Sequence, residues 1–105
     1  MNQPTPFIAA YHLSEAEWEV LYLLDDALDQ LRKMTLSFSE LRYLAVEHSE
    51  EQIRAAVESL LDPAAHNRPP TSLLVTIPNL TNLPIYRIAP AGRKLVEMQK
   101  QSVRS

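Results

Sequence analysis

The chain has 105 residues, of which 46% are apolar and 22% are charged, so it is long enough for one domain with a modest core and too apolar for a disordered segment. It has no cysteine, which excludes disulfides, thiolate metal ligands and cysteine nucleophiles. It also lacks a bilayer-spanning apolar run and a signal-peptide pattern, so we expect a cytoplasmic protein without a membrane partner.

The net charge of −3 is unevenly distributed along the chain. Residues 1–62 carry twelve acidic and four basic side chains, a net charge of −8. Residues 63–105 carry one acidic and six basic side chains, a net charge of +5. An asymmetry of this kind bears on the partners of a protein and not on its fold.

Residues 1–12 form an N-terminal arm that contains no Asp, Glu, Lys or Arg. Pro4 and Pro6 disfavour a helix in this arm. Phe7, Ile8 and Tyr11 are apolar anchors, which either pack over the core of their own chain or reach across a dimer.

Three helices are predicted from three occurrences of one start signal. Serines at Ser14, Ser37 and Ser49 are each followed three residues later by Glu or Gln, a capping box that satisfies two backbone N–H groups at a helix start. Apolar residues at helical spacing follow each box and predict helices over residues 14–32, 38–46 and 50–62. The short turn at Glu47 and His48 is what a helix-turn-helix requires.

The region after the third helix is predicted to be a proline-rich loop, over residues 63–71, and then a β-hairpin. Residues 73–77 alternate as a strand, and residues 85–88 form the return strand. Pro78 and Pro84 flank the turn and confine these strands to an edge hairpin.

A fourth helix is predicted to start at Pro90, since proline suits the first helical turn. Gly92, the one glycine of the chain, lies inside this helix, where it costs about 1 kcal/mol relative to alanine. A glycine there indicates close backbone approach to another element. Residues 101–105 are expected to be a frayed C-terminal tail.

The order of these elements resembles bacterial winged-helix transcription regulators of the MarR and PadR type. In those families the second wing strand ends in a Tyr-x-Leu-Thr-x-x-Gly-like run, which Tyr86, Ile88 and Gly92 match, while Ala89 replaces the capping threonine. The resemblance covers about residues 13–100 and implies a winged helix-turn-helix, mostly α with a β-hairpin wing. It also implies a homodimer on a palindromic DNA site, with the third helix in the major groove and the wing on the flanking minor groove or backbone.

The side chains expected to contact duplex DNA lie on the second and third helices and on or beside the wing. Gln52 suits an adenine, Arg54 suits a guanine or a phosphate, and Ser39, Arg42 and Ser49 suit phosphates. The complete predicted set is Ser39, Arg42, Ser49, Gln52, Arg54, Arg68, Asn79, Thr81, Asn82 and Arg87.

The third helix is acidic for a helix that reads DNA. Its outward positions are expected to be Glu50, Glu51, Gln52, Arg54, Ala55, Glu58 and Ser59. DNA affinity depends on Lys and Arg, and Glu50 and Glu51 lie at the end that meets base edges. Two functions therefore stay open: a small DNA-binding transcription regulator, and a winged-helix module that binds a protein partner and not DNA.

The acidic first helix and the basic last helix are complementary in charge. We expect ion pairs between them, within one chain or between two. The expected pairs join Arg93, Lys94 or Lys100 to Asp25, Asp26 or Asp29.

Enzymatic functions have little support in the sequence. The three histidines are isolated and show no paired metal spacing, and one glycine cannot form a phosphate-binding glycine loop. Trp18, Tyr22 and Tyr43 occupy helical positions and are expected in the core. We therefore predict no catalysis, no cofactor and no metal.

Overall fold

The computed structural model of the chain describes residues 11–30, 32–78 and 84–104. Most of the predicted arm, residues 1–10, and the tip of the predicted wing, residues 79–83, lie outside these ranges. The helices are α1 (Glu15–Gln30), α2 (Phe38–Leu44), α3 (Glu50–Leu61) and α4 (Pro90–Arg104). The strands are β1 (Leu36–Ser37), β2 (Leu74–Ile77) and β3 (Ile85–Ile88), and a short 3-10 helix spans Pro63–His66.

All three predicted capping boxes form, and they place the starts of α1, α2 and α3. In the box of α2, the Ser37 hydroxyl accepts from the Glu40 backbone N–H at 3.1 Å, and Glu40 Oε1 accepts from the Ser37 N–H at 2.9 Å. Each box satisfies two backbone donors that a helix start leaves unpaired. The three helix starts are therefore specified by local side-chain chemistry.

The helix ends differ more from the prediction than the starts. Helix α1 ends at Gln30, and Arg32 adopts a left-handed backbone with φ of 53°, so the helix does not reach Arg32. Helix α2 ends at Leu44, two residues before the predicted end at Val46. Pro63 does end α3, but it also begins the 3-10 helix inside the region predicted to be a loop.

The wing hairpin belongs to a three-stranded antiparallel sheet in the order β1-β3-β2. Strand β1, which was not predicted, pairs Leu36 with Tyr86, and β2 pairs Leu74 with Ile88. A two-residue strand is too short to show alternation, and Ser37 already serves as the cap of α2. The complete arrangement is a winged helix-turn-helix, as predicted.

The core lies between α1, α3, α4 and the sheet. Leu21, Ile53, Leu60, Leu74 and Leu95 are completely buried in it. Burying an apolar side chain of this size stabilises the fold by about 2 kcal/mol. No helix among the described residues is long and apolar enough to cross a membrane.

Gly92 lies where α4 crosses the start of the wing, which confirms the predicted close approach. A Cβ atom at this position would overlap the backbone carbonyl oxygen of Leu73 and lie 2.9 Å from Ile88 Cγ1. The Leu73 oxygen also accepts from the Ala89 N–H at 3.0 Å, so it cannot easily move away. Glycine is therefore required by packing and not by its backbone angles.

We expect Gly92→Ala to destabilise the protein by about 1 to 3 kcal/mol, because the added methyl group meets a fixed backbone atom. Helix propensity alone predicts the opposite sign, a gain of about 1 kcal/mol. Urea unfolding followed by circular dichroism measures the difference. Glu97→Ala, on the exposed side of α4, is the control and should change stability by less than about 0.5 kcal/mol. A stabilised Gly92→Ala variant would show that the backbones are not packed this closely.

Candidate nucleic-acid interface

Arg42 and Arg54, two predicted DNA contacts, lie on one surface where α2 and α3 meet. Arg42 Nη1 is 3.1 Å from Glu50 Oε1, and Arg54 Nη2 is 3.9 Å from Glu50 Oε2. We call these three residues the Arg–Glu–Arg cluster. Its side chains are 59%, 44% and 56% exposed, in the order Arg42, Glu50, Arg54. Glu50, which was expected to repel DNA, therefore lies within ion-pair distance of two arginines.

The aromatic ring of Phe38 supports this cluster from the first turn of α2. The guanidinium carbon of Arg54 lies 5.1 Å from the centroid of the ring, a cation–π contact. Ser39, another predicted contact, is exposed beside it and lines the same groove as Phe38, Arg42 and Glu50. Four polar or aromatic side chains of α2 and α3 are therefore brought together around one carboxylate.

Ser49 and Gln52 are exposed at the start of α3 but bond to one another. The Ser49 hydroxyl accepts from the Gln52 N–H at 3.2 Å, and Gln52 Oε1 accepts from the Ser49 N–H at 2.8 Å. The side-chain carbonyl of Gln52 is therefore used inside the chain. Its amide nitrogen is the group that can face a base edge.

Arg68 has a structural position that argues against the predicted DNA contact. Its guanidinium forms a two-point ion pair with Glu17, with Nη2 at 2.9 Å from Oε1 and Nη1 bonded to Oε2. The side chains are only 16% and 5% exposed. Ser59, expected to face outward from α3, is also buried, because its hydroxyl donates to the same carboxylate. That expectation was wrong.

Within the wing, the structure describes one of the predicted contacts. Arg87 is half-buried on β3 opposite Val75, and it belongs to no ion pair among the described residues. Asn79, Thr81 and Asn82 lie outside the described residues. Their proposed contacts with DNA stay predictions.

The expected ion pairs between α1 and α4 form within one chain. Arg93 Nε is 3.2 Å from Asp25 Oδ1, and Arg93 Nη2 is 2.8 Å from Asp29 Oδ1. Lys100 Nζ is 3.5 Å from Asp25 Oδ2 and 3.9 Å from Asp26 Oδ1. Much of the charge asymmetry of the sequence is therefore compensated inside the chain.

An exposed apolar surface on α2 and the turn after it was missed by sequence analysis. It consists of Tyr43, Leu44 and Val46, whose exposure ranges from 42% to 82%. We call it the α2–turn apolar surface. Tyr43 was expected in the core and this was wrong, because α2 has seven residues and buries only Leu41. The shortness of the predicted helix was the signal that could have shown it.

A further cleft contains two of the three histidines. A cleft of about 590 Å³ between the start of α1, α3 and the 3-10 helix is lined by both His48 and His66. Among the described residues, no group of three or more His, Asp or Glu side chains is placed to hold a metal ion.

Comparison with known proteins supports the fold. The chain is similar to the solved structure of BpsR from Bordetella bronchiseptica, a protein whose DNA binding is regulated by 6-hydroxynicotinic acid. The TM-score is 0.57 and the identity 20%, over 93% of this chain and 73% of BpsR. No protein-family model matches the sequence, and no curated protein matches it. At this identity the likeness is one of fold.

The Glu17–Arg68 pair makes stability depend on pH. Burial raises the pKa of Glu17, but hydrogen bonds from Arg68, the Ser14 backbone and Ser59, together with the charge of Arg68, outweigh it and lower the pKa to about 2. A carboxylate with a lowered folded pKa stabilises the protein above its unfolded pKa, near 4.5. This contribution is lost as the pH falls from about 4.5 towards 2.

We expect Glu17→Gln to lower the free energy of unfolding by about 3 kcal/mol at pH 7, because it leaves Arg68 buried without its partner. The difference from wild type should shrink between pH 4.5 and pH 2.5. Urea unfolding at several pH values measures both effects. Glu15→Gln, exposed in the same helical turn, is the control for loss of charge. An equal difference at pH 7 and pH 2.5 would contradict the proposed linkage.

Proposed function

We propose that this domain is a DNA-binding transcription regulator of the MarR or PadR type, which contacts duplex DNA with α3 and the wing. The observation that carries the proposal is the fold: a winged helix-turn-helix that matches a DNA-binding regulator over 93% of this chain at a TM-score of 0.57. The Tyr86–Gly92 run, which resembles those families, is the support for the type.

The contacts in this proposal begin with the Arg–Glu–Arg cluster. In helix-turn-helix docking the second helix of the motif enters the major groove, and the first crosses the backbone. Arg42 and Ser39 on α2 are therefore assigned to phosphates, and Gln52 and Arg54 on α3 to base edges or phosphates. Arg87 on the wing supplies a further phosphate contact.

The surface charge predicts modest affinity and few neutralised phosphates. Arg42, Arg54 and Arg87 are the basic side chains that the proposal assigns to DNA, whereas Glu51 and Glu58 are exposed on α3. Each neutralised phosphate contributes about −0.9 to the slope of log affinity against log salt. A slope of about −3 for each bound chain is expected.

A homodimer is also part of the proposal, because the two-fold symmetry of a dimer matches that of a palindromic DNA site. The ion pairs between α1 and α4 lie inside one chain, so the proposal does not assign them to the dimer interface. We expect a dimer in sedimentation equilibrium at 0.1 M and at 1 M salt. A monomer at concentrations that saturate the duplex would contradict this part of the proposal.

The DNA contact is tested by fluorescence anisotropy with a labelled random duplex, titrated at rising salt. Arg42→Ala, Arg54→Ala and Arg87→Ala should each weaken binding by about tenfold at low salt and reduce the magnitude of the salt slope by about 1. Lys94→Gln, on the exposed side of α4, removes the same charge away from this surface and should leave binding nearly unchanged.

A protein-binding winged-helix module is the second candidate, and the α2–turn apolar surface favours it. Tyr43 is 81% and Val46 82% exposed, and a groove of about 350 Å³ runs beside Tyr43 and Leu44. Exposed apolar residues that cluster in this way are typical of protein contact sites. Absence of duplex binding at low salt, by the folded protein, would favour this candidate over the regulator.

A further inference from the structure

We propose that Glu50 competes with DNA phosphates for Arg42 and Arg54, so that the Arg–Glu–Arg cluster is an autoinhibitory contact. The inference rests on the proposed function and adds to it a residue that weakens binding. In the free protein the carboxylate lies within ion-pair distance of both guanidinium groups, and a DNA phosphate must displace it to bind between them.

The geometry of the cluster suits this exchange. The two arginines come from different helices and reach the two oxygens of one carboxylate, at 3.1 Å for Arg42 and 3.9 Å for Arg54. A guanidinium binds carboxylate and phosphate oxygens through the same planar set of donors. The Glu50 carboxylate therefore occupies the place that a phosphate would take between the two arginines.

The exposure of the cluster makes the exchange reversible. All three side chains are 44% to 59% exposed, so a phosphate can approach them and the ion pairs are weak. The Phe38 ring, 5.1 Å from the Arg54 guanidinium, keeps that side chain in position when Glu50 moves away. Release of Glu50 therefore leaves an arginine that is already oriented.

The other ion-paired acids that the structure describes lack this combination. Glu17 is 5% exposed in its pair with Arg68, and Asp25 is 8% exposed between Arg93 and Lys100. Glu40, whose pair with Lys33 is exposed, also accepts from the Ser37 N–H at 2.9 Å and is thereby tied to the start of α2.

Glu50, by contrast, takes no part in the capping box of its helix. The capping box of α3 uses Ser49 and Gln52. The Glu50 side chain can therefore leave without opening the helix.

The test compares Glu50→Gln with Glu51→Gln in duplex binding by anisotropy at about 50 mM and about 200 mM salt. Both variants remove one negative charge from the first turn of α3, but Glu51 belongs to no ion pair among the described residues. Glu50→Gln should bind about threefold to tenfold more tightly than Glu51→Gln and show the steeper salt slope. This excess should disappear when both substitutions are made in an Arg42→Ala/Arg54→Ala background.

The outcomes separate this inference from the proposed function. If wild type binds duplex but Glu50→Gln and Glu51→Gln bind equally, the competition is refuted and the regulator stands. If wild type binds poorly and only Glu50→Gln binds well, both are supported. If no variant binds at low salt while all remain folded by circular dichroism, both are refuted.

Discussion

The backbone of Leu73 joins the helices of this domain to its wing. Its N–H donates to the Leu60 carbonyl at the end of α3, and its carbonyl accepts from the Ala89 N–H just after β3. Gly92 of α4 packs against the same carbonyl oxygen. The end of α3, the end of β3 and the start of α4 therefore all contact the backbone of one residue.

The position of the candidate interface follows from the contacts of the Leu73 backbone and from the helix starts. The Ser37 box begins α2 and the Ser49 box begins α3. Arg42 and Glu50 are thereby separated by one short turn and reach one another across it. Arg54 follows Glu50 by one helical turn, so it meets the same carboxylate. Local capping chemistry thus leads directly to the Arg–Glu–Arg cluster.

Charge in this protein is compensated largely inside the chain, and this changes what the acidic composition means. Asp25 lies between Arg93 and Lys100, and Glu17 is buried against Arg68. These acids form ion pairs with cations of other elements and stabilise the packing of α1. The surface of α2 and α3 keeps an excess of acid, with four glutamates against Arg42 and Arg54, next to exposed apolar side chains.

The sequence by itself determined the order of the helices, the wing strands and the special role of Gly92, because capping boxes, alternation and a lone glycine are local signals. It also indicated that α1 and α4 would pair by charge. Only the tertiary structure decided that Arg68 and Ser59 bind Glu17, residues far apart in the chain. It likewise decided that Tyr43 is exposed and that β1 joins the sheet. Each of these outcomes depends on how elements that are far apart in the chain pack together, and no local sequence pattern specifies that packing.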